Sequence, residues 1–199
     1  MLKLKGLEMR KDFYIFRHGE TDYNKQGRWQ GCGINFPLND TGIKQAEILA
    51  ERVKTLGLEV IYSSPLIRAE QTAKIVAKSL NIEVKTLPEL TEGCLGICEG
   101  MLKDDIASRY PETWNEWYND NIDMSMRWPE GESKLEMQQR MFRGFEKMLA
   151  TPEKVIGVAS HSGSMRYFFL AFGYGPHKMP NTALYHLVWQ DGKWIFEQL

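Results

Sequence analysis

The sequence lacks the features of membrane-spanning and nucleic-acid-binding proteins. No apolar run approaches the roughly 18 residues of a membrane span, and the amino-terminal segment has no continuous apolar stretch ahead of a cleavage site. Charge of one sign is not in excess either: 25 Lys and Arg against 26 Asp and Glu leave a net charge of -1. No global positive field is therefore available to hold nucleic acid or an anionic membrane. We expect a cytoplasmic protein, monomer or homodimer, whose partner is a small molecule.

Cysteine is scarce, and this argues against a disulfide framework or a metal site. The three cysteines, Cys32, Cys94 and Cys98, are an odd number in a chain of 199 residues, which is too large to need disulfides. A CxxxC pair with one distant cysteine also lacks the fourth ligand of a structural zinc site. We expect these residues to be small buried hydrophobic groups, with no metal and no cofactor.

The remaining composition is that of a globular domain. Hydrophobic residues make up 43% of the chain and aromatic residues 12%, and no repeat, low-complexity tract or linker interrupts it. We therefore predict a single domain over residues 1–199. Its middle, from Tyr110 to Trp128, is rich in aromatic residues without a strand pattern, and we predict irregular helix and loop there. These aromatic residues fit a satellite core or a substrate-facing wall equally well.

The order of elements predicts an α/β fold. Short apolar runs alternate with amphipathic helices, and the last two runs flank Asp191-Gly192, a hairpin turn signal. Alternation of strands and helices is typical of a parallel sheet covered by helices. We predict a three-layer sandwich: a mostly parallel central sheet, helices on both faces and a small helical or loop insertion over the site. The predicted strands are 12–16, 60–62, 82–87, 155–159, 184–189 and 193–196; the predicted helices follow Asp40 or Thr41, Pro65, Ser133 and Ser164.

Basic residues come directly after three of the predicted strands. Arg17 and His18 follow the first, Arg68 comes shortly after the second, and His161 follows the strand at 155–159. Because ligands bind beyond the carboxyl ends of the strands in such sheets, these side chains can converge. Each alone fits a surface arginine or a structural histidine, but four cations without a ligand would repel one another. A phosphate or similar oxyanion is the ligand this cluster favours, with a carboxylate second. Nothing in the pattern marks His177 or His186 as functional.

Five segments then resemble, in order, the motifs of one family. They are Arg17-His18-Gly19-Glu20-Thr21, residues 63–73, Leu90-Thr91-Glu92 with Glu99-Gly100, residues 129–133, and Ser160-His161-Ser162-Gly163. The family is the histidine phosphatase superfamily, also called phosphoglycerate-mutase-like, and the likeness covers nearly the whole chain. Two positions depart from the usual pattern, because Cys98 replaces a common aromatic residue and Ser162 a common glycine.

The resemblance implies a division of labour among the site residues. His18 would attack phosphorus and form a phosphohistidine, while Arg17, Arg68 and His161 would hold the phosphoryl oxygens without a metal ion. Glu92 would protonate the leaving oxygen and then activate water, although acidic loop residues are usually only solvated. Residues 129–133 would form a substrate-side turn that closes an insertion at residues 101–132. The predicted phosphate- and substrate-binding residues are Arg17, Asn24, Arg28, Gln30, Gly31, Arg68 and Ser162.

The same resemblance leaves three functions to compare. A phosphatase passes the phosphoryl group to water, whereas a mutase passes it to an acceptor hydroxyl. The short insertion at residues 101–132 and the Glu20-Thr21 pair favour a phosphatase acting on a small phosphorylated metabolite. A phosphoglycerate-mutase-type transferase is the second choice. A non-catalytic phosphate-binding protein is the third, and it is disfavoured because His18, Arg17 and Glu92 are all present.

Overall fold

A six-stranded sheet organises the protein, as seen in a computed structural model that describes residues 10–118, 123–175 and 179–197. Its strand order is β3-β2-β4-β1-β5-β6. The first four of these pair in parallel, and β5 and β6 pair antiparallel at one edge. The predicted mostly parallel sheet is therefore confirmed. The strands are β1 (Arg10–Arg17), β2 (Val60–Ser63), β3 (Glu83–Thr86), β4 (Val155–Ser160), β5 (Leu184–Gln190) and β6 (Lys193–Glu197).

Helices cover both faces of this sheet. The strand residues alternate in direction: Val60 and Tyr62 join the cluster under α6 and α7, whereas Ile61 joins the cluster under α2 and α3. A strand covered on both sides is apolar throughout, and all four residues of β2 are buried. The described residues form seven α-helices, α1 (Asp22–Lys25), α2 (Asp40–Val53), α3 (Ile67–Leu80), α4 (Lys103–Arg109), α5 (Pro111–Trp117), α6 (Lys134–Leu149) and α7 (Ser162–Leu170).

Helix starts follow local capping chemistry more closely than the sequence pattern predicts. Asn39, not Asp40 or Thr41, caps α2, since its side chain accepts from the Gly42 amide at 2.8 Å. The predicted capping box between Ser133 and Glu136 is confirmed at the start of α6. The predicted hairpin is confirmed as well, with both Asp191 and Gly192 in the left-handed region that its turn requires.

The aromatic middle segment contributes to a third hydrophobic cluster beside the sheet. Trp128 is fully buried there and packs edge-on against Trp29, while α4 and α5 supply Ile106 and Trp117. Trp117 also lines the cavity described below, so the segment serves both as satellite core and as wall. Four residues of the predicted insertion, 119–122, lie outside the described residues.

The expectation for the cysteines is wrong for two of the three. Cys32 and Cys94 form a disulfide, with a Cα–Cα distance of 4.7 Å across a sequence separation of 62 residues. An odd number of cysteines does not exclude one pair, and the two loops that carry these residues meet over the carboxyl edge of the sheet. Cys98 is a buried free thiol, as predicted, and burial raises its pKa to about 11.

Two further expectations concern membranes and histidines. In the part of the chain that the structure describes, no helix has both the length and the apolar character to cross a membrane. His186 lies within the sheet, where its ring contacts the carboxylates of Asp12 at 2.8 Å and Glu197 at 3.1 Å. This is a structural role, in agreement with the sequence. His177 lies outside the described residues.

Candidate active site

One cavity of about 600 Å³ at the carboxyl edge of the sheet collects most of the predicted site residues. β1 delivers Arg17 and His18 to it, the start of α3 delivers Arg68, and the loop after β3 delivers Glu92. Arg17, His18 and Arg68 thus come together as their positions after the strands predict, whereas Glu92 was expected here only from the family resemblance. Predicted residues that also line the cavity are Asn24, Arg28, Gln30, Gly31 and Ser162.

His18 is held in one tautomer. Its Nδ1 lies 2.6 Å from the carbonyl oxygen of Gly19, and because a carbonyl only accepts, Nδ1 must carry the proton. The lone pair is then on Nε2. Burial, reinforced by the charges of Arg17 and Arg68, holds the pKa of His18 well below its ordinary value. The ring is therefore neutral near pH 7, with Nε2 unprotonated as a nucleophile requires.

The loop that carries His18 is fixed to the neighbouring helix and loop. The amide of Gly19 donates to the Thr72 hydroxyl at 3.0 Å, and this hydroxyl donates to the Arg68 carbonyl at 2.8 Å. The His18 carbonyl accepts from Asn181 at 3.1 Å. A histidine fixed at ring and backbone needs no reorganisation before it reacts.

Arg17 and Arg68 form a pair of oriented cations. Arg68 is 1% exposed and donates to the carbonyls of Ile34 at 2.8 Å and Gly31 at 2.9 Å. Arg17 donates to the Met179 carbonyl at 2.6 Å. The Nε atom of each is buried without a hydrogen-bond partner among the described residues. Burial lowers the pKa of Arg68 to about 10, so this side chain stays charged at neutral pH. Both guanidinium groups thus keep donor capacity for an oxyanion.

His161 lies behind this group. Its ring is 5.2 Å from the His18 ring, centroid to centroid, and it is fully buried without lining the cavity. Nε2 lies 2.8 Å from the Ser64 hydroxyl oxygen, which fixes the ring. Burial, with the charge of Arg68 next, holds the pKa of His161 well below its ordinary value. The structure therefore does not place His161 on the cavity wall, where the predicted contact with a phosphoryl oxygen would be made.

Glu92 lies against the amino end of α7. Its carboxylate accepts from the amides of Ser164 at 2.9 Å and Gly163 at 3.2 Å, and from its neighbour Gly93 at 2.9 Å. A Cβ atom at position 163 would lie 2.7 Å from Glu92 Oε1, so any other residue there would displace this carboxylate. The negative charge of Glu92 acts to raise the pKa of both Arg17 and Arg68, so this carboxylate is close to the two guanidinium groups.

The loop at residues 24–33 forms the rim facing the insertion. The Asn24 side-chain oxygen accepts from the Thr21 amide at 3.2 Å, and Arg28 donates to the Gly100 carbonyl at 2.7 Å. At the other end of this loop, the Glu99 carboxylate accepts from the Cys32 amide at 3.1 Å and from the Leu95 amide at 2.9 Å. Gly31 has a φ of 59°, and a Cβ there would meet the Glu99 carboxylate. Since Arg68 donates to the Gly31 carbonyl at 2.9 Å, the rim lies next to Arg68.

The sequence analysis missed several residues of the cavity wall. Lys103 at the start of α4, and Arg166 and Tyr167 on α7, line the cavity together with Trp117 and Tyr118 of the aromatic segment that was expected there. The Arg166 guanidinium lies 5.8 Å from each of the two tyrosine ring centroids. Helical periodicity is the signal that could have found Arg166, since it comes four residues after the predicted site residue Ser162 and therefore lies on the same face of α7. Lys103 carried no signal beyond its position in the predicted insertion.

The arrangement is chemically an anion site with one neutral histidine, His18, and one carboxylate, Glu92. Among the described lining residues, Arg17, Arg28, Arg68, Lys103 and Arg166 are cationic and only Glu92 is anionic. Within the same residues, no group of three or more His, Cys, Asp or Glu side chains comes together as a metal site would need. The cavity therefore fits a ligand with several negative oxygens near His18.

Comparison with known proteins agrees with this geometry. Residues 13–199 match the model of the histidine phosphatase superfamily (branch 1). The chain is 32% identical over 171 residues to the "Uncharacterized phosphatase PhoE" of Bacillus subtilis (strain 168), covering 85% of this chain and 81% of that protein. It is 37% identical over 139 residues to the "Probable phosphoglycerate mutase GpmB" of Yersinia pestis (strain Pestoides F), covering 70% of this chain and 63% of that one.

Solved structures show the same fold. The structure "Bacillus stearothermophilus YhfR" has a TM-score of 0.79 at 26% identity, over 94% of this chain and 95% of that one. A mycobacterial glucosyl-3-phosphoglycerate phosphatase complexed with VO3 has a TM-score of 0.84 at 23% identity, over 95% and 98% of the two chains. With a family model spanning nearly the whole chain, this protein belongs to the histidine phosphatase superfamily, branch 1.

Proposed function

We propose that the protein hydrolyses a small phosphomonoester, without a metal ion, through a phosphohistidine on His18. The observation that carries this proposal is the hydrogen bond from His18 Nδ1 to the Gly19 carbonyl, because it leaves an unprotonated Nε2 between Arg17 and Arg68. A neutral imidazole beside two guanidinium groups is the arrangement that in-line attack on a bound phosphoryl group needs.

The reaction has two steps. In the first, His18 Nε2 forms a bond to phosphorus while the bond from phosphorus to the ester oxygen breaks, and Glu92 gives a proton to the leaving oxygen. In the second, Glu92 takes a proton from a water molecule that attacks phosphorus, and the bond to Nε2 breaks, releasing phosphate. Arg17 and Arg68 balance the charge on the transferring oxygens in both steps, which is the task of metal ions in other phosphoryl-transfer enzymes.

The test is phosphate release from a panel of phosphomonoesters in the presence of EDTA. We expect turnover of at least one ester, unchanged by the chelator, and competitive inhibition by vanadate. His18→Ala should abolish turnover, and a rapid acid-free quench with labelled ester should place the acid-labile phosphoryl group on His18 in the wild type. Loss of activity on chelation that Mg²⁺ restores, or label on His161, would contradict the mechanism.

The cavity wall favours substrates that carry a second negative group. Lys103 and Arg166 line the same cavity as the clamp formed by Arg17 and Arg68, and burial followed by the charge of Arg17 lowers the pKa of Lys103. A second carboxylate or phosphate would offset this crowding of positive charge. Lys103→Met should therefore raise KM for phosphorylated carboxylic acids several-fold while leaving KM unchanged for an aryl phosphate whose only charged group is its phosphate. An equal effect on both substrates would count against a second anionic group.

Phosphoryl transfer to an acceptor is the second candidate, favoured by the 37% identity to the probable mutase from Yersinia pestis. Both functions use the same phosphohistidine and differ only in what accepts the phosphoryl group. Phosphoenzyme made with labelled ester should release inorganic phosphate if the protein is a phosphatase. Transfer of the label to added phosphoglycerate faster than to water would instead support the mutase.

A further inference from the structure

Arg140 on α6 contacts the segment that carries Glu92 without reaching the cavity itself. Its Nη1 donates to the backbone carbonyls of Glu89 at 2.8 Å and Thr91 at 2.7 Å, and its Nη2 reaches the Glu92 carbonyl at 3.4 Å. The side chain is only 16% exposed. One guanidinium group thus spans three carbonyls in a stretch of four residues.

Glu132 orients this guanidinium group. Arg140 Nε and Nη2 donate to the two carboxylate oxygens of Glu132 at 2.9 and 2.7 Å, a bidentate pair. The Glu132 amide also donates to the Cys94 carbonyl at 2.7 Å, just past Glu92. The family resemblance implies that residues 129–133 form a substrate-side turn. Glu132 therefore connects this turn to the segment that carries Glu92.

Residues of β4 and α7, on either side of His161, hold the opposite side of the segment at residues 89–92. Ser160 donates to the Leu90 carbonyl at 2.8 Å, and Ser164 donates to the Thr91 carbonyl at 3.0 Å. Every carbonyl from residue 89 to residue 92 therefore has a side-chain donor. This segment begins inside a short 3₁₀ turn, Pro88–Leu90, and continues beyond it in neither a helix nor a strand, so side chains supply the partners that a longer regular element would supply from its backbone.

The geometry assigns Arg140 and Glu132 as a positioning pair that fixes Glu92 for proton transfer, an inference that rests on the proposed function. Proton transfer requires the carboxyl group to stay within hydrogen-bond reach of the leaving oxygen. A lysine at position 140 cannot reproduce the contacts, because it has no planar fork for a bidentate carboxylate together with the carbonyls. Loss of the pair should shift Glu92 and leave His18, Arg17 and Arg68 in place.

The experiment compares two substrates on one enzyme preparation, an alkyl phosphate that needs a proton donor and an aryl phosphate whose leaving phenolate does not. Single-turnover phosphoenzyme formation is measured for wild type, Arg140→Lys, Glu132→Gln and Lys147→Met. The last is the matched control, since Lys147 on the same helix pairs with the Glu89 side chain and touches none of the carbonyls. The ratio of the alkyl phosphate rate to the aryl phosphate rate, measured on one preparation, does not depend on what fraction of the enzyme is folded, because both rates scale with that fraction.

We expect both test variants to lower the alkyl-to-aryl ratio, Arg140→Lys by on the order of 10- to 100-fold as a small misplacement does, and Lys147→Met to leave it unchanged. In a Glu92→Gln background, Arg140→Lys should cause no further fall in the ratio. An active wild type whose ratio is unaltered in both test variants would overturn this inference alone, as would a full further fall in the Glu92→Gln background. A wild type that transfers phosphate from neither substrate would overturn the proposed function and this inference with it.

Discussion

The Glu92 carboxylate is held by hydrogen-bond donors at the amino end of α7. The Ser164 amide and hydroxyl contact the same carboxylate oxygen at 2.9 and 3.1 Å, so the group is placed by backbone and side chain together. A proton donor matters most when the leaving oxygen is basic. The role of Glu92 is therefore visible in how the rate depends on the leaving group.

Glu92→Gln should slow phosphoenzyme formation from alkyl phosphates by roughly 10²- to 10⁴-fold, the usual contribution of one general acid. Aryl phosphates with acidic phenols should slow much less, because their leaving oxygen departs without the proton. The measurement is single-turnover phosphoenzyme formation, since slow hydrolysis of the phosphohistidine would mask the contrast in steady-state rates. Equal slowing of both substrate types would mean that Glu92 only supports the structure and is not the proton donor.

At the scale of single residues, the sequence predicted the site residues that come directly after a strand. Arg17 and His18 directly follow β1, and the rule that ligands bind at the carboxyl edge places them without any knowledge of packing. Arg140 was not predictable in this way, because its partners are backbone carbonyls of a loop that has no pattern of its own. The backbone atom that fixes the tautomer of His18 is the Gly19 carbonyl oxygen, and its position depends on a local bend that the sequence pattern does not specify.

At the scale of elements, two loops over the sheet edge are joined twice. The disulfide between Cys32 and Cys94 joins them covalently, and Glu99 joins them by accepting from the amides of Cys32, Gly33 and Leu95. Sequence spacing carries no information about a pair 62 residues apart, which is why the pairing was missed. The helices and strands were predictable because their periodicity is local, whereas loop-to-loop contacts depend on the finished sheet.

Reduction of the disulfide should destabilise the protein more than it impairs catalysis. Closing a loop of 62 residues lowers the chain entropy of the unfolded state, which corresponds to roughly 4 kcal/mol in the entropic model. For a chain of this size the melting temperature should fall by on the order of 10 °C. The Glu99 contacts should keep the rim in place, so kcat should change little.

The measurement is thermal unfolding with and without a dithiol reductant. Cys32→Ser should melt at the temperature of the reduced wild type and show no response to reductant. Cys98→Ala is the matched control, because it removes the buried free thiol and should keep the full response. A wild type whose melting temperature ignores reductant would show that the pair is not bonded in solution.

At the scale of the whole molecule, the site makes folding depend on pH. His18 and His161 are both buried, and burial followed by neighbouring arginine charges lowers the pKa of each well below its ordinary value. In the unfolded chain each histidine binds a proton as the pH falls through about 6.5. The unfolded state then binds more protons than the folded state, and the free energy of unfolding must decrease as the pH falls.

Each histidine should contribute a slope of about 1.4 kcal/mol per pH unit below pH 6.5, until the pH reaches its folded-state pKa. Denaturant unfolding between pH 7.5 and pH 5.5, in buffers free of phosphate, measures this slope. His18→Gln and His161→Gln should each reduce it by roughly half, whatever their effect on stability at pH 7.5, because each removes one of the two groups that titrate only on unfolding.

Glu153, whose pKa is lowered to about 2 chiefly by its hydrogen bond to Lys85, affects stability only at lower pH and leaves this window to the histidines. A wild-type slope that persists unchanged in both variants would mean that the histidines of the site are protonated in the folded protein, and His18 would then lack the free Nε2 on which the proposed chemistry depends.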